Sequence, residues 1–272
     1  MENMVEDILR EVLFTYATAY APLCSLACKK YQRIVTTQDS LAPCGVMLLK
    51  RVARDGHITL LQWIRQKGWP RDWSVVEKDT LMMAAARGGH VELVRVCINE
   101  WGAEGIEPMM LAAARAGHVE IVTLCHTEWG QMNMNAAMVH AASRGHERLV
   151  RLCYTEWGAR NVNTAMLEAA GNGHEHIVRI CHDEWNATEV DSAMARAAER
   201  GHERIMRVCH DEWNAAHIDM AMAYAAHGGC IHLVRVCYGE WGAREVTWAA
   251  RCAAKQGHVE IVEQCRAWGA TV

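Results

Sequence analysis

The dipeptide Gly-His recurs at Gly56-His57, Gly89-His90, Gly117-His118, Gly145-His146, Gly173-His174, Gly201-His202 and Gly257-His258, with Gly229-Cys230 taking one place in the series. The first interval is 33 residues and each later one is 28. Trp keeps the same phase at Trp101, Trp129, Trp157, Trp185, Trp213 and Trp241. So does Cys, at Cys97, Cys125, Cys153, Cys181, Cys209, Cys237 and Cys265. A fixed period of this length restricts the chain to stacked supersecondary units, none of which buries its apolar face alone. The repeat also accounts for an odd composition, with 11 Trp against one Phe, 15 Met, 15 His and 12 Cys in 272 residues.

The residues within one unit, Glu147 to His174, predict two short antiparallel helices. Leu149, Val150, Leu152, Cys153 and Trp157 share one helical face, with Arg148, Arg151 and Thr155 on the other. An acidic residue opens most such helices (Glu92, Glu120, Glu147, Glu175, Glu203, Glu260), where it suits the positive end of the helix dipole. Gly158 closes the helix as a C′ glycine. The other helix is expected to start near Asn163, and its counterparts Asn135, Asp191, Asp219 and Thr247 read as N-caps. Glu107 departs from that pattern and is followed by Pro108. Ile106, Met134, Val162, Val190, Ile218 and Val246 precede these caps, where the earlier ones would form hydrophobic staples with Leu111, Val139 and Leu167. Alanines such as Ala165, Ala169 and Ala170 give this helix a small face that lets neighbours approach closely, and Gly173 ends it.

The stretch from Ala84 to Ala103, AAARGGHVELVRVCINEWGA, resembles the helix–turn–helix core of an ankyrin repeat, as do the units from Gly56 to the C-terminus. The resemblance rests on the alanine run, the Gly-His turn and the β-branched and Leu stripe that ends in Gly-Ala. It implies an all-α solenoid of about eight stacked ankyrin-like units, spanning 46–272. The usual ankyrin period is about 33 residues, and the shortfall falls between the helix pairs. The β-hairpin fingers of the family are therefore expected to be reduced to tight loops, so the family's rule that places binding on the fingers does not carry over to this chain. The early units GHITLLQWIRQKGWP and RDWSVVEKDTLMMAAARGGH look like divergent ankyrin arrays of large DNA viruses and of protists. That likeness implies a viral protein that binds, scaffolds or sequesters a host protein.

Residues 1–45 lie outside the repeat. Ile8–Val35 reads as two helices broken near Ala21-Pro22. Two readings stand for this segment. One is a helical cap that shields the first repeat. The other rests on Pro22 to Val35, PLCSLACKKYQRIV, which is similar to the second half of an F-box although the Leu-Pro opening is missing. It implies a Skp1-type adaptor and a substrate receptor for a cullin ubiquitin ligase.

The formal net charge of −4 gives no reason to expect nucleic acid or an anionic membrane as partner. No apolar run approaches the roughly 20 residues that span a bilayer, and the acidic start MENMVEDILREVLF lacks a signal peptide's basic region. A reducing compartment is expected, the host cytoplasm or the nucleus, with the cysteines as thiols and the chain a monomer.

Cys125-His126, Cys181-His182 and Cys209-His210 raise the question of zinc. Neighbouring helix positions point about 100° apart, and no paired C-x₂-C spacing occurs. Packing of Cys as a small apolar residue is the expectation, with no metal and no cofactor. Each Trp is expected to seal its helix pair against the next unit with the preceding Glu in solvent, and the Gly-His histidines to serve the turn between helices. No phosphate loop or nucleophile–base arrangement stands out, so no enzyme is expected.

Comparing units within the chain separates frame from variation. The residue before the paired alanines changes most: Ala112, His140, Glu168, Arg196, Tyr224 and Cys252. Between the helix pairs, Gln131, Arg160, Glu189, His217 and Glu245 also vary. The candidate partner contacts are therefore His140, Glu168, Arg196, Tyr224, Arg160, Glu189 and His217, with Arg196 and Tyr224 favoured because Arg and Tyr dominate interface energetics.

Overall fold

A computed structural model describes residues 43–66, 73–130 and 133–272. Backbone contacts divide the chain into Met1–Met47 and Leu48–Val272. Both readings of the N-terminal segment, and Gln131, lie outside the described residues.

The described residues form eight helix pairs and contain no strand. The first pair is α1 (Pro43–Arg54) with α2 (Ile58–Gln66). The leading helices that follow are α3 (Val75–Gly88), α5 (Ile106–Ala116), α7 (Met134–Ala142), α9 (Val162–Gly171), α11 (Val190–Glu199), α13 (Ile218–His227) and α15 (Val246–Gln256). Their trailing partners are α4 (Val91–Asn99), α6 (Val119–Thr127), α8 (Glu147–Thr155), α10 (Glu175–Arg179), α12 (Glu203–Arg207), α14 (Ile231–Gly239) and α16 (Val259–Ala267). Helices α10 and α12 run on into single π-helical segments, Ile180–Glu184 and Val208–Glu212.

From α3 onward each leading helix packs on its own trailing helix and on the next leading helix, so the pairs form one continuous series. Small side chains make this possible. Ala113, Ala114, Ala141, Ala142, Ala169, Ala170, Ala197, Ala198, Ala225 and Ala226 are fully buried where leading helices meet. A row of methionines, Met82, Met110, Met138, Met166, Met194 and Met222, fills the space beside them, also fully buried. Trailing helices contribute Leu93, Val94 and Cys97 and their counterparts. The periodic cysteines from Cys97 to Cys265 are core residues, and burial pushes the thiols of Cys97, Cys125, Cys153, Cys181, Cys209 and Cys237 up to about 12.

Glycine closes both helices of a unit. Gly117 and Gly173 have φ near +81° and +82° after the leading helix, and Gly158 has φ +69° after the trailing one. Asn186 and Asn214 hold the latter place after the two π-helical segments, with φ 54° and 55°. They are the positive-φ residues other than glycine among the described residues.

The start of the leading helices differs from the expectation. They begin at Met134, Val162, Val190, Ile218 and Val246, so Asn135, Asn163, Asp191, Asp219 and Thr247 sit inside the first turn, not at the cap. Asn133 caps α7 in their stead by accepting from the Ala136 N–H. The apolar residues read as staples are themselves the first helical residues. The Asn and Asp side chains look across to the following unit, where two backbone N–H groups of the next inter-pair loop need acceptors.

Candidate functional site

Four ladders fix the stack, and together they define which surface is left free. The first belongs to the displaced caps and to Asp79, which lies inside α3. Asp79 Oδ1 accepts from the N–H groups of Glu104 and Gly105 at 2.8 and 2.9 Å. Asn135 does so from Arg160 and Asn161, Asn163 from Thr188 and Glu189, Asp191 from Ala216 and His217, and Asp219 from Arg244 and Glu245. These five loops between pairs are thus tied to the preceding leading helix.

The second ladder belongs to the Gly-His histidines. His90, His118, His146, His202 and His258 bring Nε2 to 2.8–3.2 Å from the carbonyl oxygens of Arg54, Arg87, Arg115, Gly171 and His227, at the end of the preceding leading helix. Each ring also lies against the glycine of the preceding unit: a Cβ on Gly117 would fall 2.6 Å from His146 Nδ1. These histidines join units, a role beyond the turn within one unit. His174 lies against Gly145 in the same way, and burial lowers its pKa below the ordinary value. Cys230 holds the place with a long Sγ contact to the Glu199 carbonyl, 3.9 Å.

The third ladder uses the Glu before the Trp, which is exposed as expected and also pairs with the preceding unit. Arg95, Arg151, Arg179 and Arg207 reach forward in bidentate pairs to Glu128, Glu184, Glu212 and Glu240 of the next unit, with shortest distances of 2.6–3.0 Å. These guanidinium groups hold the Glu128, Glu184 and Glu212 carboxyls below their usual range. Thr123 takes the arginine's place before Glu156.

The fourth is aromatic. His126, Tyr154, His182, His210 and Tyr238, each following a core Cys, meet Trp157, Trp185, Trp213, Trp241 and Trp268 with ring centroids 4.0–5.5 Å apart. Each Trp therefore packs back on the preceding unit. Trp101 is buried and meets Trp73 edge-on at 4.9 Å, and Trp129 is half-buried. The histidines of the Cys-His pairs are absorbed in this stacking. Among the described residues, no group of three His, Cys, Asp or Glu could hold a metal ion. No helix there is long and apolar enough to cross a membrane.

Among the surfaces that the ladders leave uncovered is the stripe formed by the leading-helix residue before each pair of buried alanines. Ala112 is buried, His140 and Glu168 are half-buried, and Arg196 and Tyr224 are exposed. Arg115 donates to His140 Nδ1 at 3.1 Å, and desolvation lowers the His140 pKa. Arg196 Nη1 lies 3.5 Å from Glu199. Of the loop candidates, Arg160 is folded back: it donates to the carbonyls of Tyr154 and Ala159 and lies 4.6 Å over the Tyr154 ring. Glu189 accepts from Ser192, and His217 Nδ1 lies 3.6 Å from Asp191 while remaining exposed.

One residue of this surface was not singled out from sequence. Trp248 is 43% exposed on α15, and Tyr224 is 38% exposed on the neighbouring helix α13. The equivalents of Trp248 in earlier units are Pro108, Ala136, Thr164, Ser192 and Met220. That break in the small-residue pattern was the available signal. A shallow depression of about 540 Å³ lies between α10 and α12, but its lining charges pair with one another, Arg204 with Glu175 at 2.8 Å and Arg179 with Glu175 at 3.1 Å.

No family model matches the chain, and no curated protein matches it.

Proposed function

We propose that the chain is a protein-binding module, a divergent ankyrin-type solenoid whose leading-helix stripe engages a partner. The observation that carries this reading is the contrast between frame and stripe. Ladder and core positions repeat from unit to unit, while Ala112, His140, Glu168, Arg196, Tyr224 and Cys252 differ in size and charge at one equivalent position. Selection for stacking alone has no use for an exposed Tyr and Trp on adjacent helices, whereas exposed aromatic side chains are favoured anchors at interfaces. The inter-pair loops are held by Asp and Asn acceptors without strands, in keeping with shortened ankyrin fingers and with binding by helix faces. On this reading the protein acts by capture and not by catalysis, as a viral protein holding a host factor.

The test is affinity purification of the full chain from transfected cells, with Tyr224→Ala and Arg196→Glu compared with the parent. Both variants are expected to lose captured partner and to keep the parent's melting temperature. Capture that is unchanged in both rejects the stripe as the binding face.

A further inference from the structure

The end of the stripe formed by α11, α13 and α15 differs from the rest in a way that specifies a ligand chemistry. These helices pack consecutively. Side chains link them across the face: His227 Nδ1 lies 3.2 Å from Glu199 Oε1, and Gln256 Nε2 lies 2.8 Å from His227 Nε2. Tyr224 and Trp248 stand exposed on that surface with Met220 half-buried beside them.

Charge is arranged unevenly around this apolar patch. Towards the Gly-His turns lie Arg196, Arg200 and Lys255, all exposed, together with His227. The acid at that end, Glu199, is already engaged by Arg196 and His227 and is only 19% exposed. Towards the inter-pair loops lie Glu189 and Glu245. Asp191 and Asp219 at that end are occupied by backbone N–H groups. The turn end is thus cationic with few free acids, although the chain as a whole carries a net charge of −4.

We infer that this face binds an acidic segment of another protein, with an aliphatic or aromatic side chain seated between Tyr224 and Trp248 and carboxylates directed at Arg200 and Lys255. The inference rests on the proposed binding function and adds the partner's chemistry. An apolar anchor supplies affinity, and complementary charge supplies register and on-rate.

The probe is a phage-displayed library of random short peptides selected on the full chain, with the recovered peptides synthesised and measured by fluorescence anisotropy. Enriched peptides are expected to be net acidic and to contain a large apolar residue. Trp248→Ala, Tyr224→Ala and Lys255→Glu should each weaken binding on the order of tenfold, added salt should weaken it too, and Arg148→Ala on α8 should not. Melting temperatures of the exposed-site variants should match the parent. Neutral or basic peptides that lose affinity in Trp248→Ala would overturn the acidic chemistry and leave the binding function standing. Peptides indifferent to both aromatic substitutions, or no enrichment at all, would overturn both.

Discussion

Asp191 illustrates how one side chain serves a unit other than its own. Its Oδ1 takes two N–H groups at 2.8 Å each from the following loop, which would otherwise be left to solvent. Asp191→Ala is expected to destabilise by about 1–3 kcal/mol, the cost of losing such acceptors. Asp191→Asn should cost less, because Asn135 and Asn163 do the same work elsewhere in the chain. Urea denaturation of the two variants checks this, and equal losses would contradict the assignment. Gly117 gives a second residue-scale case. Its φ of +81° and its contact with the His146 ring both exclude a side chain. Gly117→Ala should cost at least about 1–2 kcal/mol from backbone strain alone. Adding His146→Ala should relieve only the steric part. The thiols provide a third test. Native alkylation followed by mass spectrometry should label Cys230 and Cys252, which are half-buried, and spare Cys97, Cys125, Cys153, Cys181, Cys209 and Cys237, which are enclosed.

At the scale of elements, the helices were legible from local pattern and the joints between them were not. The apolar stripe Leu149, Val150, Cys153 and the glycines at Gly158 and Gly173 report on hydrogen bonds within one unit, and a single unit suffices to read them. Asn163 looked like an N-cap because a cap and an inter-unit acceptor require the same short polar side chain near a helix start. The distinction lies 25 residues away, at the Thr188 N–H. Arg151 and Glu184 are 33 residues apart, more than one period, so no local window contains both. The ring after five of the seven periodic cysteines was visible in the sequence as His126, Tyr154, His182, His210 and Tyr238, but its purpose needed the next unit's Trp in place. The stack of His182 on Trp213, 4.0 Å between centroids and 20° between planes, should show a coupling of about 0.5–1.5 kcal/mol in a double-mutant cycle with His182→Ala and Trp213→Ala. Independent, additive effects would mean the rings merely lie near each other. Within the candidate site, Arg196 and Tyr224 were legible as variable positions. Trp248 escaped notice because its own column is otherwise small or aliphatic.

At the scale of the whole molecule, successive units depend on one another through these joints, and pH should reveal it. His140 and His174 titrate below their ordinary 6.5 because burial disfavours the charged ring. The folded chain then binds fewer protons than the unfolded chain as pH falls past that value. Their contribution to stability is complete above 6.5 and is lost as pH drops through the folded values. The carboxyls of Glu128, Glu184 and Glu212 lie below their ordinary 4.5, so their contribution is complete above 4.5 and disappears as pH falls through the lower folded values. The urea midpoint should therefore hold steady near neutrality, fall first below pH 6.5, and fall again below 4.5. His140→Asn should flatten the first decline. The central claim, however, concerns which surface a partner meets. A photo-crosslinking amino acid placed at position 224 of the full chain, and in a separate variant at position 148 on the trailing side, tests it most directly. Crosslinks to a captured partner from 224 and none from 148 are the predicted result. Crosslinks from 148 alone would contradict the account.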